Sequence, residues 1–199
     1  MASATEEEVA DGRTLRRLRN EQKAVDAFLE LLNEGHGRPT AQQVAERSGV
    51  SLRSIFRLFD DVDTLNAAAI AQQSERIAQL QPQIPATGPV AGRIDAVVDQ
   101  MATVYETIAN VRRFAVHIAV TSPAIAKGIG RHGRLTRLQV RETFAPELAA
   151  LPATDRTEVG DALAAATSWE TWDGLRAGQR QSVTAAKRVV RRLIAGLIA

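Results

Sequence analysis

Apolar residues recur every three or four positions along most of the chain, which is the spacing of one face of an α-helix. The strongest such run carries Ile94, Val97, Val98, Met101, Val104, Tyr105 and Ile108. No alternating apolar and polar pattern, as expected for a half-buried strand, competes with this period anywhere. The pattern therefore predicts an all-α protein of about nine helices.

One break in the pattern divides the chain. Residues 81–89, QPQIPATGP, hold three prolines and one glycine, which exclude a helix there. We therefore predict two helical segments, 13–80 and 90–199. The polar, acidic residues 1–12 precede the first apolar stripe, and we expect them to form a disordered tail.

The stretch from Thr40 to Phe59 predicts two short helices joined by a tight turn. Thr40 is a typical N-cap, and Gln43 three positions on completes a capping box. Gly49 lies where the chain must turn sharply, and Ser51 is a second N-cap. This is the pattern of a helix-turn-helix, whose second helix lies in the DNA major groove.

Composition narrows the class of protein further. The chain has 199 residues, 45% of them hydrophobic, which is enough for a large helical core. It has no cysteine, so disulfides and thiolate metal sites are excluded and a cytoplasmic location is expected. The acidic N-terminus resembles no secretory signal, and no apolar run reaches the roughly 18 residues of a membrane span.

Net charge argues only weakly for nucleic acid. The formal charge is +2, and residues 1–80 hold 10 Lys/Arg against 13 Asp/Glu, a balance of −3. Binding to DNA would therefore depend on where the basic residues lie. One basic run stands out at the start of the first helix, with Arg13, Arg16, Arg17 and Arg19.

The sequence shows no recognisable set of catalytic residues. Three scattered histidines without cysteine give no metal-ligand spacing. The second half offers no paired carboxylates at helical spacing, no nucleophile with a base and no phosphate loop. We therefore predict a protein that is not an enzyme and needs no metal or cofactor.

Residues 24–69 resemble the DNA-binding domain of the TetR family of transcriptional regulators. The resemblance lies in the Thr that opens the second helix, the Val-Ala-x-x-x-Gly-Val-Ser pattern over 44–51, and Leu65 in the fourth helix. APELAALP (145–152) and TSWETWDGLR (167–176) resemble a dimer-forming region of actinobacterial members.

The resemblance implies a homodimeric repressor that binds a palindromic operator in double-stranded DNA and releases it when a small-molecule effector binds. It also implies a DNA-binding domain at 13–80 and an effector-binding and dimerisation domain at 90–199. A transcriptional activator, or an architectural DNA-binding protein without an effector, is the alternative that the sequence leaves open.

DNA contacts are predicted from the helix-turn-helix and the basic run. Arginine suits guanine O6 and N7, and the start of a recognition helix reaches base edges. The predicted contacts are Arg53, Ser54, Phe56 and Arg57 in the second helix, Ser51 and Thr40 at the backbone, and Arg13, Arg16 and Arg17 along the phosphates. Family members usually carry a tyrosine where Phe56 stands and a lysine where Val62 stands, so the arginines should matter more here.

The second segment carries the remaining predicted sites. The family resemblance implies an effector pocket between the helices of 92–120 and 125–144, and the polar residues predicted to face it are Gln100, Tyr105, His117 and Thr121. The last two helices, 155–176 and 182–198, are expected to form a four-helix bundle with the partner subunit. The predicted interface residues are Trp169, Trp172, Val190, Leu193 and Leu197.

A basic stripe also runs along one helical face of the second segment, with Lys127, Arg131, Arg134, Arg137 and Arg141. We interpret it as solvent-facing or ion-paired, with an anionic ligand as the alternative.

Overall fold

The computed structural model describes the backbone of residues 3–198 and the side chains of residues 12–198. Within that range every regular element is helical and no strand occurs, which confirms the predicted all-α class. None of these helices is long and apolar enough to cross a membrane. The elements are α1 (Ser3–Asn33), α2 (Ala41–Ser48), α3 (Leu52–Leu58), α4 (Val62–Gln79), α5 (Val90–Ala119), α6 (Pro123–Thr143), α7 (Ala145–Ala150), α8 (Ala153–Ala166), α9 (Trp169–Asp173), a π-helical turn (Gly174–Gly178) and α10 (Val183–Leu197).

The helices form two compact units that differ from the predicted segments. Unit 1 comprises Met1–Gln73 and Asn110–Ala126, and unit 2 comprises Ser74–Ala109 and Lys127–Ala199. The end of α5 therefore belongs with the N-terminal helices and not with the second segment. Within unit 1, the Phe114 ring packs edge-on against Phe28 with centroids 5.6 Å apart, which gives this part of α5 an apolar anchor.

The first helix begins earlier than the sequence pattern suggests. The backbone is already helical at Ser3, whereas we expected disorder over residues 1–12 and a helix from Arg13. Residues 1 and 2 of that expected tail lie outside the described residues.

Unit 1 contains the helix-turn-helix as α2, a turn and α3. The Thr40 hydroxyl accepts a hydrogen bond from the Gln43 backbone N–H at 3.2 Å, and the Gln43 side chain accepts one from the Thr40 N–H at 2.8 Å. Gly49 ends α2 in the left-handed conformation, with φ of 68°. Ser51 caps α3 by accepting from the Ser54 N–H at 3.2 Å. The predicted capping box, turn glycine and second cap are all confirmed.

Two local predictions in the second half were wrong. The sequence PELAALP predicts a turn over residues 146–152, but α7 occupies most of them. Pro146 is tolerated because it lies in the first turn of the helix, where a backbone N–H has no intrahelical acceptor. The helix predicted over 155–176 is interrupted, because α8 ends at Ala166 and α9 begins at Trp169. Ser168 explains the restart, since its hydroxyl accepts from the Thr171 N–H at 3.2 Å.

Unit 2 packs around one apolar core. Its fully buried members include Val98 of α5, Leu163 of α8, Trp172 of α9, and Val190 and Ile194 of α10. Such a core ties the C-terminal helices to α5 within one chain.

The turn glycine of the helix-turn-helix gives the first testable prediction. Gly49→Ala should lower the free energy of unfolding by about 1–2 kcal/mol, because a Cβ is disfavoured at positive φ. Nothing lies within 4 Å of the added Cβ, so the loss would come from the backbone conformation alone. Gly92→Ala is the matched control: its Cβ also meets nothing within 4 Å, but it lies in α5, so alanine should stabilise by up to about 1 kcal/mol. Urea unfolding measures both, and equal effects at the two sites would contradict the explanation.

Candidate nucleic-acid interface

The outer face of α3 exposes two arginines and two apolar side chains. Arg53 and Arg57, four residues apart, are both exposed and lie on neighbouring turns. The large apolar residues Leu52 and Phe56 beside them are 37% and 48% exposed. Ile55 and Phe59 face inward and hold the helix on the unit 1 core. This face can offer charge, hydrogen-bond donors and apolar surface to a partner.

The hydroxyl groups predicted to contact DNA already have structural partners. Thr40 belongs to the α2 capping box, and its hydroxyl also donates to Gln43 Oε1 at 3.1 Å. The Ser51 hydroxyl caps α3 and donates to the Ser54 hydroxyl at 2.9 Å. These groups position the two helices, and a contact to phosphate would use only their remaining hydrogen-bonding capacity.

A cleft brings the start of α1 and the end of α3 together. It encloses about 330 Å³ and is lined by Arg13, Arg16, Arg17, Asn20, Arg57 and Leu58. We call it the arginine cleft. Arg13, Arg16 and Arg17 share one face of α1, since Arg16 and Arg17 follow Arg13 by three and four residues. The structure thus unites two groups of arginines that the sequence predicted separately.

The arginines of the cleft have no ion-pair partner among the side chains that the structure describes. Among the side chains of residues 12–198, no carboxylate forms an ion pair with Arg13, Arg16, Arg17, Arg53 or Arg57. Clustered like charges repel one another, so an anion that neutralises them would be favourable. The cleft therefore concentrates the positive charge of four arginines beside the exposed face of α3.

Arg47, in contrast, has a structural role. Its guanidinium donates to both carboxylate oxygens of Glu34, at 2.8 and 2.7 Å, in bidentate geometry. This hydrogen bonding lowers the pKa of Glu34 and raises that of Arg47. The pair ties the end of α2 to the chain that leaves α1 and so supports the helix-turn-helix.

Sequence reasoning missed two residues of this surface. Leu52 falls three positions before Ile55, which fits the buried stripe of α3, and only the fold shows it exposed. Asn20 lines the arginine cleft but carries no charge, so the basic pattern did not include it. No signal in a single sequence would have found either residue.

The four residues predicted for the effector pocket do not lie together. Gln100 and Tyr105 line a cavity of about 20 Å³ in unit 2. His117 is exposed and lines a separate cleft of about 420 Å³ in unit 1. Thr121 is also exposed in unit 1, and its hydroxyl donates to the Ile118 carbonyl at 3.2 Å. The residues are separated because α5 belongs to unit 2 up to Ala109, whereas Asn110–Ala126 belong to unit 1.

Three of the five predicted dimer residues are buried within the single chain. Trp172 and Val190 are 1% and 0% exposed, and Trp169 packs edge-on against Tyr105 with centroids 5.6 Å apart. These three side chains are buried in the core of their own chain, so little of their surface is available to a partner subunit. Leu193 is 43% exposed and Leu197 is half-buried, so α10 still presents an apolar surface through them.

Part of the basic stripe on α6 is ion-paired. Arg141 lies 2.9 Å from Asp161 of α8, and Arg137 lies 3.8 Å from the same carboxylate. Arg141 crosses α8 at Gly160, where an added Cβ would come within 2.8 Å of the guanidinium. These contacts confirm the ion-paired interpretation for two members. Lys127, Arg131 and Arg134 are exposed.

Comparison with known proteins adds no assignment. A scan against protein-family models finds no match for this chain, and a search of curated proteins finds none. The function therefore has to be inferred from the residues and their geometry.

Proposed function

We propose that this protein is a sequence-specific DNA-binding transcriptional regulator that resembles the TetR family and acts as a homodimer. The observation that carries the proposal is the arginine cleft, which joins Arg13, Arg16 and Arg17 of α1 to Arg57 of the helix-turn-helix. Phosphate contacts by such residues supply affinity and fix the register of a recognition helix. Arg53 and Leu52 on the outer face of α3 can then read base edges, the arginine at guanine and the leucine at a thymine methyl group.

Dimer formation follows from the size of the recognition surface. α3 has seven residues and about two turns, so a single copy contacts too few base pairs for specific binding. Two copies related by a two-fold axis read an inverted repeat. The exposed Leu193 and the half-buried Leu197 of α10 support its role as the partner-facing helix.

Repression relieved by a small molecule is the regulatory mode we propose. An effector must bind more tightly to a conformation that is unsuited to the operator, because equal affinity for both conformations shifts nothing. The cavity beside Gln100 and Tyr105 has room for about one water molecule. That small volume favours a second candidate, a DNA-binding regulator without an effector.

Selection from a library of random DNA duplexes tests the proposal. We expect an inverted repeat to be enriched, because two α3 helices related by a two-fold axis read identical half-sites. Arg53→Ala should then weaken binding to the selected duplex by about 1–3 kcal/mol, with a smaller loss on unrelated DNA, since its contact is to bases. Fluorescence anisotropy measures both affinities.

The control is Arg131→Ala, which removes one exposed arginine from α6. Its affinity should match that of the wild type. Enrichment of no sequence, or equal losses for Arg53→Ala and Arg131→Ala, would show that α3 does not read DNA. Enrichment of a site without two-fold symmetry would contradict the dimer.

A further inference from the structure

Residues 81–84, between α4 and α5, are held by side chains of unit 2. The side-chain amides of Gln100 and Gln139 both donate to the Pro82 carbonyl, at 2.6 and 3.1 Å. Gln139 also donates to Gln100 Oε1 at 2.9 Å, which orients the two amides together. A single main-chain carbonyl thus takes two side-chain donors, one from α5 and one from α6.

The same segment has two further attachments. The Thr143 hydroxyl lies 3.2 Å from the Ile84 carbonyl, and the Gln83 side chain donates to Glu142 Oε2 at 3.0 Å. The Ile84 side chain packs, partly buried, against the core of unit 2. Residues 81–84 therefore cover this part of the core without forming any helix, and we call them the plug.

A small polar cavity lies under the plug. It measures about 20 Å³, and Gln81 and Ile84 of the plug form part of its wall. Its other polar lining groups are Gln100, Tyr105, Thr136, Gln139 and Thr167. The Thr136 hydroxyl is buried there without a hydrogen-bond partner. A native buried hydroxyl is normally paired, so this group marks a place where a polar partner is favourable.

We propose that the plug occupies an effector site and that the effector is an uncharged small molecule with a carbonyl-type acceptor. Such a group would take over the two hydrogen bonds that Gln100 and Gln139 now give to the Pro82 carbonyl. The rest of the molecule would take the space of the Ile84 side chain. The small volume of the cavity is then a property of the plugged state.

The lining determines the chemical class of the ligand. The polar groups around the cavity are amides and hydroxyls, and the apolar ones include Val97, Met101 and Val140; no charged residue lines it. A charged ligand would lose its hydration without gaining a counter-charge, which is costly. A neutral ligand with one or two acceptors matches the glutamine donors and the apolar walls.

The position of the plug suggests how binding would be signalled, a step that rests on the proposed DNA-binding function. α4 ends at Gln79, and the plug begins two residues later. α4 starts at Val62, just after the recognition helix α3, and it contributes to both compact units. Displacement of the plug would therefore release the C-terminal end of a helix that follows directly from the helix-turn-helix.

Thiol labelling tests the plug without any DNA. The chain has no cysteine, so Thr136→Cys places a single thiol in the cavity, and Thr103→Cys places a reference thiol on the exposed face of α5. The neutral probe is N-ethylmaleimide, an imide with two carbonyl groups, and the anionic probe is 2-sulfonatoethyl methanethiosulfonate. Mass spectrometry follows both reactions, each rate being taken relative to the reference thiol.

With the native plug, Thr136→Cys should react with N-ethylmaleimide at least about tenfold more slowly than Thr103→Cys, because reaction requires local opening. Adding Ile84→Gly removes the apolar anchor of the plug and should raise that rate at least about fivefold. Thr143→Val removes only the hydroxyl beside the Ile84 carbonyl and should act in the same direction, which preserves the test if Ile84→Gly does not fold. The anionic probe should remain slow throughout.

Equal rates for the two thiols with the native plug would overturn the proposal, as would a rate unaffected by both plug variants. Acceleration of the anionic probe to the same extent would overturn the uncharged ligand class. Loss of the proposed DNA-binding function would appear only in the duplex-binding assays, so the two failures are distinguishable.

Discussion

Replacing Arg13, Arg16 and Arg17 together with alanine is expected to weaken DNA binding at least about a hundredfold at low salt, and to reduce its salt dependence. Each phosphate contact contributes about 0.9 to the slope of log K against log salt concentration. Three contacts per chain should therefore lower the slope by about 2.7 for a monomer and about 5.4 for a dimer. The measured change thus reports both the role of the cleft and the number of chains bound.

The matched control removes the same charge from another surface. Lys127, Arg131 and Arg134 on α6 are exposed, and their triple alanine variant also loses three positive charges. Alanine is the best helix former, so neither triple variant should disturb its helix. Anisotropy titrations between about 50 and 200 mM salt measure the slopes. If the α6 variant loses as much affinity and slope as the cleft variant, general positive charge and not the arginine cleft explains binding.

Glu147→Ala is expected to lower the free energy of unfolding at neutral pH by about 3–5 kcal/mol. Arg93 is 7% exposed and donates from Nη1 to Glu147 Oε2 at 2.8 Å and to the Thr143 carbonyl at 2.7 Å. Its guanidinium also lies 5.8 Å from the centre of the Phe144 ring. Removing the carboxylate would leave a buried positive charge without its partner, and that desolvated charge accounts for the loss.

The same pair predicts how stability depends on pH. The hydrogen bonds from Arg93 hold the pKa of Glu147 below its ordinary value of 4.5. The folded protein therefore binds the proton less readily than the unfolded chain, and the stabilisation is complete above that ordinary value. It is lost as the pH falls through the lowered pKa of the folded state. The difference between the wild type and Glu147→Ala should accordingly shrink on acidification below about pH 4.5.

Urea unfolding at a series of pH values measures both effects. Glu158→Ala on the exposed part of α8 is the control and should change stability by no more than about 0.5 kcal/mol at any pH. The double variant Arg93→Met with Glu147→Leu should recover most of the loss, because it removes the unpaired charge and keeps apolar volume. A loss for Glu147→Ala no larger than that for Glu158→Ala, or one that persists unchanged in acid, would contradict the explanation.

The parts of the fold that the sequence predicted correctly depend on neighbours within one helical turn. Thr40 and Gln43 form the capping box three residues apart, and Gly49 provides the left-handed end of α2. The missed helix boundaries near Pro146 and Ser168 are also local. Proline and serine are both compatible with a turn or a helix start, so the residue type alone does not decide between the two.

The candidate sites were less predictable because they combine distant residues. Trp172 was predicted at the dimer interface, but the fold places it in the core, where its indole N–H donates to Glu106 Oε1 at 2.9 Å. Tyr105 and His117 occur on one helix, yet the two ends of α5 belong to different compact units. The pattern of apolar residues along α5 does not show where the helix passes from one compact unit to the other.

By itself, the sequence determined that this protein is all-α, that it has a helix-turn-helix between Thr40 and Phe59, and that arginines occur at the start of α1 and in α3. These features follow from side-chain periodicity and from capping groups that act over three or four residues. Only the tertiary structure decided that Arg57 shares a cleft with the arginines of α1 and that the Pro82 carbonyl takes the donors of two glutamines. Those contacts join residues far apart in the chain, and packing of the helices, not local preference, brings them together.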